Sequence, residues 1–343
     1  MHLQEGNPKT IQALKNVLDT AKKEKADLVT VSGDLFHSRE DAEVLRPRLR
    51  DIFTDNPFKV LAIPGNHDEG AYRGNLDWGP DLEVATEKPF EVREFGDHNL
   101  VALPFQDELT TELYDRVKEV SEELSGGVLL LHCTLDIGYS AGSFGEEETV
   151  RYFPVTSSVL SEWDFDFILA GHFHGSTDVR KLDNGGEFIY PGSPVSLSWS
   201  EIGRRRAVLL DLAKGDREEF ILNTFYRDMF NRTIRPGGEN EFIEEAEDWL
   251  RERSEENCHL RVIPEGHITV DETEFRESLE NVCKGADISH EGYENVEKVL
   301  NHTLFKRFKK TLDSKEEIEN EEEVESKVIE AMSRLLARRE LRS

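Results

Sequence analysis

Short apolar runs recur along the first part of the chain, and each ends in a polar cluster. They stand in the stretches ADLVTVSGDLFH, FKVLAIPGNHD, GGVLLLHCT and FDFILAGHFH. Near-continuous runs of this length are typical of strands that are buried on both faces of a sheet. A helix is predicted over residues 7–25, because Asn7 can cap it and Pro8 suits its first position. With two further strands expected in EFIYPGSP and RRAVLLDL, the pattern predicts an α/β fold built on a layered sheet.

The pattern changes in the second half of the chain. Amphipathic helices are predicted over residues 240–254 and 271–283, with a strand over 259–264 between them. This alternation indicates a small α+β capping domain. We therefore expect one domain over residues 1–215 and the capping domain over residues 216–290.

The last segment, residues 291–343, is predicted to be helical. One helix is expected over 293–310, followed by an acidic run over 313–326 that is typical of a solvated face or a disordered linker. A second amphipathic helix follows it. Its apolar stripe consists of Val328, Ile329, Met332, Leu335 and Leu336.

Charge, apolar runs and cysteine spacing limit the kinds of partner and of site that this protein can have. A formal charge of −29 over 343 residues disfavours general binding of polyanions in dilute buffer, and it is ordinary in a protein from a salt-adapted host, which we expect here. No apolar run approaches the roughly 20 residues that span a bilayer, so we expect a cytoplasmic protein with no membrane partner. Cys133, Cys258 and Cys283 lack zinc-site spacing and are expected to be buried free thiols.

Aspartate and histidine residues follow the ends of all four apolar runs. In open α/β sheets, sites form outside the carboxyl ends of the strands, so these clusters can converge on one crevice. Imidazoles mixed with a carboxylate and an amide oxygen suit Mn, Fe or Zn. Each cluster also has an ordinary interpretation, since Gly-Asp and Gly-Asn pairs are common in turns. The candidate residues are His2, Asp34, His37, Asn66, His67, Asp68, His132, His172 and His174.

The motifs GDLFH, GNHD, a lone His132 and GHFH, in this order, resemble those of the calcineurin-like metallophosphoesterase superfamily. The forms SGDLFHS and YPGSPVSLSWSE resemble the SbcD-type exonucleases of DNA double-strand-break repair. The serine/threonine phosphatases of the superfamily would instead carry Asp-Arg-Gly where this chain has Phe36, His37 and Ser38. The resemblance covers residues 2–212, and it implies a calcineurin-like sandwich with helices outside.

In such enzymes two divalent ions, here expected to be Mn²⁺, clamp the scissile phosphate and activate water. By this resemblance Asp34 would bridge the two ions. His67 would stabilise the transition state or protonate the leaving oxygen, Asp68 would orient His67, and His37 would position the substrate. The other metal ligands implied by the resemblance are Asn66, His132 and His172 for one ion, and His2 and His174 for the other.

The opening residues Met1, His2 and Leu3 match the end of the family's first motif, Asp-x-His-Leu, which follows an interior strand. Three interpretations remain open. The sequence starts at an internal methionine, or the gene is truly shortened, or His2 is a coincidence in a non-catalytic subunit. Loss of an interior strand would expose neighbouring edges and remove core area, which favours the first interpretation.

The resemblance implies a metal-dependent DNA exo- and endonuclease subunit that works with an SbcC-type coiled-coil ATPase and forms a homodimer. The stripe on the last helix is the expected docking site for the ATPase, although it can equally pack on its own domain. Clusters at Arg46–Arg50, Arg204–Arg206 and residues 306–310 offer positive faces for DNA. A small-molecule phosphodiesterase or phosphomonoesterase, and a non-catalytic scaffold of the ATPase complex, are the alternatives.

Overall fold

The structure, a computed structural model, describes residues 1–74, 76–135, 153–254, 256–314 and 320–340, without the side chains of 321–322 and 337–340. Contacts divide the chain into two compact units, Met1–Asp228 and Met229–Ser343. The domain boundaries predicted after residues 215 and 290 stay predictions. Among the described residues, no helix combines the length and apolar character needed to cross a bilayer.

The first unit alternates strands and helices. Its helices are α1 Pro8–Lys23, α2 Arg39–Ile52, α3 Thr111–Leu124 and α4 Ser157–Ser161. Its strands are β1 Leu28–Ser32, β2 Lys59–Ile63, β3 Leu82–Val84, β4 Glu91–Phe95, β5 His98–Leu103, β6 Val128–His132, β7 Thr134–Leu135, β8 Pro154–Val155, β9 Phe167–Gly171, β10 Asp178–Lys181, β11 Glu187–Tyr190, β12 Arg206–Asp211 and β13 Asp216–Ile221, and β14 Tyr226–Ile234 begins there.

The sheets of the first unit form layers. A six-stranded sheet has the order β10-β11-β9-β6-β5-β4, with parallel pairing from β11 to β5 and antiparallel strands at both edges. A parallel sheet, β1-β2-β3, and the hairpin β12-β13 both contribute side chains to one core against that sheet. Helices α1 and α2 pack on the outer face of β1-β2-β3, and α3 packs on the outer face of the larger sheet. The predicted α/β layered fold is confirmed.

Strand β6 illustrates why the apolar runs form interior strands. All five of its residues are buried. Leu129 and Leu131 point into the core shared with α3, while Val128 and Leu130 point into the core between the sheets. Because successive side chains of a strand point to opposite faces, a strand covered on both sides needs an unbroken apolar run.

The second unit combines a small sheet with helices. Strand β15 Cys258–Ile268 pairs in parallel with both β16 Asp287–Ile288 and β17 Tyr293–Asn295, and it neighbours β14. The helices α5 Glu239–Arg251 and α6 Glu272–Val282 pack on this sheet through a core that includes Phe242 and Phe275. The helices and the strand predicted for this region are present.

The last helices differ from the prediction. The helix predicted over 293–310 is interrupted: β17 is followed by α7 Glu297–Asn301 and α8 Thr303–Leu312, because His302 has extended backbone and caps α8. Helix α9 Glu321–Glu340 begins inside the acidic run, of which residues 315–319 lie outside the described residues. Ile329 and Met332 of its stripe are buried against α7 and α8.

The cysteines are free thiols, as expected. Cys133 and Cys283 are buried. The expectation of burial is wrong for Cys258, which is partly exposed at the first position of β15.

Candidate metal centre

The carboxyl ends of β1, β2, β6 and β9 bring the predicted ligands together. Strands β6 and β9 pair in parallel so that His132 lies opposite Gly171, the residue before His172. Strand β1 pairs in parallel with β2 and lies across β6 and β9 in the facing sheet. Asp34 follows β1 and Asn66 follows β2, so the ligands come from both sheets and meet at one edge of the sandwich.

The glycines in the motifs permit close packing around the ligands. A methyl group on Gly33 would collide with the ring of His132, and one on Gly65 would collide with the carboxylate of Asp34. The Gly-Asp and Gly-Asn pairs, which the sequence alone could explain as turns, therefore serve the site directly. Three candidate ligands also adopt left-handed backbone, with φ of 53° at His2, 51° at Asp34 and 92° at His172. Such strain in non-glycine residues is typical of functional sites.

One set of ligands, the inner group, consists of Asp34, Asn66, His132 and His172. Nε2 of His132 lies 3.2 Å from Oδ2 of Asp34 and 2.9 Å from Oδ1 of Asn66. Asp34, His132 and His172 are buried, and their ligand atoms lie within 4.8 Å of one another. Nδ1 of His132 donates to the carbonyl oxygen of Ser32 at 2.8 Å, which leaves the lone pair on Nε2 directed at Asp34 and Asn66.

A second set, the outer group, consists of His2, Asp34 and His174. Nε2 of His2 lies 3.0 Å from Nε2 of His174 and 3.6 Å from Oδ2 of Asp34. The three ligand atoms again lie within 4.8 Å of one another. Asp34 belongs to both groups, which is the position required of a carboxylate that bridges two cations.

The two groups fit divalent cations by spacing and by donor type. Ligands at about 2.1 Å from one ion lie roughly 3 Å apart when their bonds are at right angles, and the observed separations of 2.9–3.2 Å within the inner group agree. The paired Nε2 atoms of His2 and His174 have the same spacing. Imidazole nitrogen with carboxylate and amide oxygen suits Mn, Fe or Zn. The identity of the metal stays a prediction.

The protonation of these groups also favours a cation. Burial would raise the pKa of Asp34, but His132 and His2 outweigh it and hold that pKa well below its usual range. Burial lowers the pKa of His172 to about 3 and holds the pKa of His2 well below its usual range. For His132, burial is outweighed by Asp34, which raises the pKa of the imidazole. The site therefore combines an ionised carboxylate with neutral imidazoles at His2 and His172.

Two of the three predicted catalytic residues, His37 and His67, lie beside the outer group. The ligand atoms of His2, His37 and His67 fall within 4.8 Å of one another, and His37 is exposed at the rim. The backbone N–H of His67 donates to Oδ1 of Asp34 at 3.0 Å, and its Nδ1 donates to the carbonyl oxygen of His37 at 3.0 Å. The ring of His67 is thereby held beside the ring of His2, with 4.6 Å between the two ring centroids.

Asp68 lies in the same loop and is buried; that it orients His67 stays a prediction. Its carboxylate accepts hydrogen bonds from the N–H groups of Gly65 and Phe36 and from the hydroxyl of Tyr72, at 2.7, 3.1 and 2.9 Å. It therefore holds the loop that carries Asn66 and His67. Burial and the charge of Asp34 raise the pKa of Asp68 to about 6.

Two further residues support His174: Glu201, which the sequence did not single out, and Arg205, which it did not predict for this site. Buried Glu201 accepts a hydrogen bond from Nδ1 of His174 at 3.1 Å, so it fixes the tautomer that presents Nε2 to the outer group. Arg205 is buried, and its guanidinium donates to the carbonyl oxygens of His174 and Gly175 at 2.6 Å each. Arg205 was expected on a basic surface with its two neighbours, and that expectation is wrong. Both residues follow the YPGSPVSLSWS stretch, which was the available signal.

Comparison with known proteins agrees with this site. A family model described as calcineurin-like phosphoesterase matches residues 1–176, the stretch that carries every candidate ligand. The uncharacterized metallophosphoesterase YhaO of Bacillus subtilis is 22% identical over 216 residues, which are 60% of this chain and 50% of that protein. The chain thus spans about half the length of this relative. Because the matched model covers half of the chain, the chain belongs to the calcineurin-like phosphoesterase family.

Proposed function

We propose that this chain is the nuclease subunit of a DNA-repair complex, in which it hydrolyses phosphodiester bonds of DNA with two divalent ions, most favourably Mn²⁺. The observation that carries the hydrolytic part is the position of Asp34. One oxygen of its carboxylate lies between two groups of nitrogen and oxygen ligands, and its other oxygen holds the loop of His67.

The residues of the chain have separable roles in this chemistry. The inner and outer groups would each hold one ion, and a pair of such ions polarises the phosphate and lowers the pKa of water. His67 lies where its Nε2 edge can donate a proton to a leaving oxygen, because its Nδ1 is already committed to the carbonyl of His37. The exposed ring of His37 stacks on His67 at 5.4 Å and can contact a substrate.

DNA is proposed as the substrate from the motifs. The stretch YPGSPVSLSWSE, which the resemblance to SbcD-type exonucleases depends on, contributes the Ser193 and Glu201 contacts that hold His174. Charge offers weaker support. Arg48, Arg204 and Arg206 are exposed, but Arg206 already pairs with Glu219. Affinity for a polyanion would therefore depend on the metal ions and on a partner as well as on basic side chains.

The proposed partner is a coiled-coil ATPase. Ile329 and Met332 are buried within the second unit, whereas Leu335 of α9 is 60% exposed and Leu304 of α8 is 59% exposed, so both can enter a helix-in-groove contact. Leu304→Asp and Leu335→Asp should weaken binding to a coiled-coil ATPase fragment, whereas Val270→Asp on the same unit should not. Unchanged binding in both variants would overturn this part of the proposal.

Homodimer formation, also proposed, would appear as a doubled molar mass in light scattering.

The experiment that tests the nuclease proposal is cleavage of end-labelled duplex DNA with Mn²⁺. We expect His67→Asn to lose activity by roughly 10²- to 10⁴-fold, the usual contribution of a general acid, with bound Mn²⁺ and circular dichroism unchanged. His98→Asn, a histidine on β5 away from the site, serves as the matched control. Equal cleavage by the His67 variant would contradict the proposal.

The two alternative functions would give different results in assays of cleavage and binding. A small-molecule phosphodiesterase would turn over a cyclic nucleotide with Mn²⁺ and leave DNA intact. A non-catalytic scaffold would bind the coiled-coil fragment with no Mn²⁺ bound.

A further inference from the structure

Two positively charged side chains of the first unit lie around one aromatic ring. Nζ of Lys9 lies 3.2 Å from the centroid of the ring of Phe225, and Cζ of Arg227 lies 5.3 Å from the same centroid. The guanidinium of Arg227 also lies near Trp199, at 5.9 Å from the centroid of that ring. Lys9 is exposed and Arg227 is half-buried. Lys9 and Arg227 thus form a cation pair at the surface of the unit.

No carboxylate of the described residues neutralises the cation pair. The chain has 71 acidic residues against 42 basic ones, yet within the described ranges neither Lys9 nor Arg227 forms an ion pair. Aromatic faces stabilise a cation without cancelling its charge, and here they take the place of carboxylates. Burial and the charge of Arg227 lower the pKa of Lys9, so the two cations repel each other. A bound anion would relieve that repulsion.

Arg227 is connected to the outer group of metal ligands through the segment that carries Glu201. Its Nη1 donates to the carbonyl oxygen of Ser196 at 2.8 Å. The backbone N–H of Leu197, the next residue, donates to the carboxylate of Glu201 at 2.8 Å, and the same carboxylate holds His174. Arg227 therefore contacts the segment that supports one outer-group histidine.

Lys9 is connected to the other outer-group histidine, His2. It lies in the first turn of α1, where its backbone N–H donates to the side chain of Asn7 at 3.2 Å. The segment before it turns back on itself, because the N–H of Asn7 donates to the carbonyl oxygen of Gln4 at 3.1 Å. Both members of the cation pair are therefore attached to segments that hold outer-group ligands.

We propose that the cation pair binds a backbone phosphate of the nucleic-acid strand, adjacent to the phosphate held at the metal centre. A phosphate presents several oxygens, so it can accept hydrogen bonds from an ammonium and a guanidinium group together. This subsite rests on the proposed function, because only a polymeric substrate carries a second phosphate at a fixed distance from the scissile one. It would favour a nucleic-acid strand over a substrate with a single phosphate.

Fluorescence anisotropy of a labelled single-stranded DNA in Mn²⁺ tests this proposal. The His67→Asn chain is the background, since it should bind both ions and cleave DNA slowly. In that background, Lys9→Gln and Arg227→Gln should each raise the Kd by about tenfold at low salt. Each should also reduce the slope of log Kd against log salt concentration by about 0.7, through the loss of one phosphate contact. Lys9→Arg keeps the charge and should keep the Kd.

Two control variants match the cation pair in residue type and setting. Lys22→Gln changes a lysine at the other end of α1, and Arg116→Gln changes an arginine whose guanidinium lies 5.5 Å from the centroid of the ring of Phe90. Both should leave the Kd and the salt slope unchanged. Arg227→Gln also removes the hydrogen bond to Ser196, so its Mn²⁺ affinity is measured as well. Lys9→Gln leaves that hydrogen bond in place and decides the test if Arg227→Gln weakens an ion.

Three outcomes would overturn the subsite. The background chain could fail to bind the DNA, Lys9→Gln and Arg227→Gln could bind it as tightly as the background, or Lys22→Gln could weaken binding as much as Lys9→Gln does.

The subsite and the nuclease proposal can fail separately. Binding that depends on Lys9 and Arg227, with no cleavage of DNA by the natural chain, would support the subsite and overturn the nuclease. Cleavage by the natural chain, with the Kd unchanged in both variants, would do the reverse.

Discussion

The two ligand groups that share Asp34 differ in how the fold holds them. His132 of the inner group ends a strand that is paired on both sides, and it is fully buried. The backbone N–H of His2 in the outer group donates to the carbonyl oxygen of Asp34. His174 lies in the loop after β9 and is only half-buried. His132 is therefore held at the end of an interior strand, whereas His174 is held by a less buried loop.

This difference implies that the two groups bind metal ions with different affinities. A ligand held in place by its surroundings loses little freedom when it binds an ion, whereas ordering a mobile ligand reduces the affinity. We expect the inner group to bind its ion first and more tightly. The outer group depends on the supports of His2 and His174, and one of these supports is buried Glu201.

The largest expected effect is at the residue that belongs to both groups. Asp34→Asn removes the shared charge, so both ions should be lost and phosphodiester hydrolysis should fall by about a thousandfold or more, which is the several kcal/mol that metal catalysis supplies. Metal analysis after gel filtration in Mn²⁺ and hydrolysis of bis(p-nitrophenyl) phosphate measure this. Asp183→Asn, at an exposed position, is the matched control. Retention of both ions by Asp34→Asn would contradict the assignment of Asp34 as the ligand that the two groups share.

The loop that carries Asn66 should make stability depend on pH. The pKa of Asp68 is raised from 3.8 to about 6 in the folded protein, so its contribution to stability is complete below about pH 4 and is lost as the pH rises through 6. The shift corresponds to about 3 kcal/mol. Urea unfolding of metal-free protein measures this. From pH 4 to pH 7.5, the free energy of unfolding of Asp68→Asn should rise by about that amount relative to that of the natural chain. An equal difference at both pH values would contradict this assignment.

Single-ligand variants should separate the two groups. His2→Asn should leave one tightly bound Mn²⁺ and His132→Asn one weakly bound Mn²⁺, with each lost ion weakened by about a hundredfold or more. Titration with Mn²⁺, followed by electron paramagnetic resonance of the free ion, gives both Kd values. If His2→Asn removed the tighter ion, the order of the two groups would be reversed.

The smallest effect is expected at the support of the outer group. Glu201→Gln keeps the size of the side chain but removes the charge that Nδ1 of His174 contacts, so the weaker Kd should rise about tenfold while the tighter Kd is unchanged. Glu219→Gln, which breaks a surface pair with Arg206, is the matched control. Equal weakening of both ions would show that Glu201 supports the whole site and not the outer group alone.

The inner group could be predicted from the sequence because its residues directly follow buried strands. An apolar run that ends in Gly-Asp, Gly-Asn or His identifies both the strand and the end at which ligands gather, as for Asp34 and His132. Glu201 and Arg205 could not be found in this way. They lie in an irregular segment after β11, and their contacts to His174 depend on how that loop folds back.

Two other features also required the structure. The break between α7 and α8 at His302 leaves the apolar pattern of residues 293–310 nearly helical, so periodicity alone predicts one helix there. The partial exposure of β1 could not be predicted from its apolar sequence, because burial depends on which elements pack against a strand and not on its residue types alone.

Electron paramagnetic resonance of the Mn²⁺-loaded protein tests most directly whether Asp34 organises a centre of two ions. We expect two Mn²⁺ per chain, a spin-coupled signal from ions that share a bridging carboxylate, and loss of that signal in Asp34→Asn. A single uncoupled Mn²⁺ per chain, or a coupled pair that survives Asp34→Asn, would contradict it.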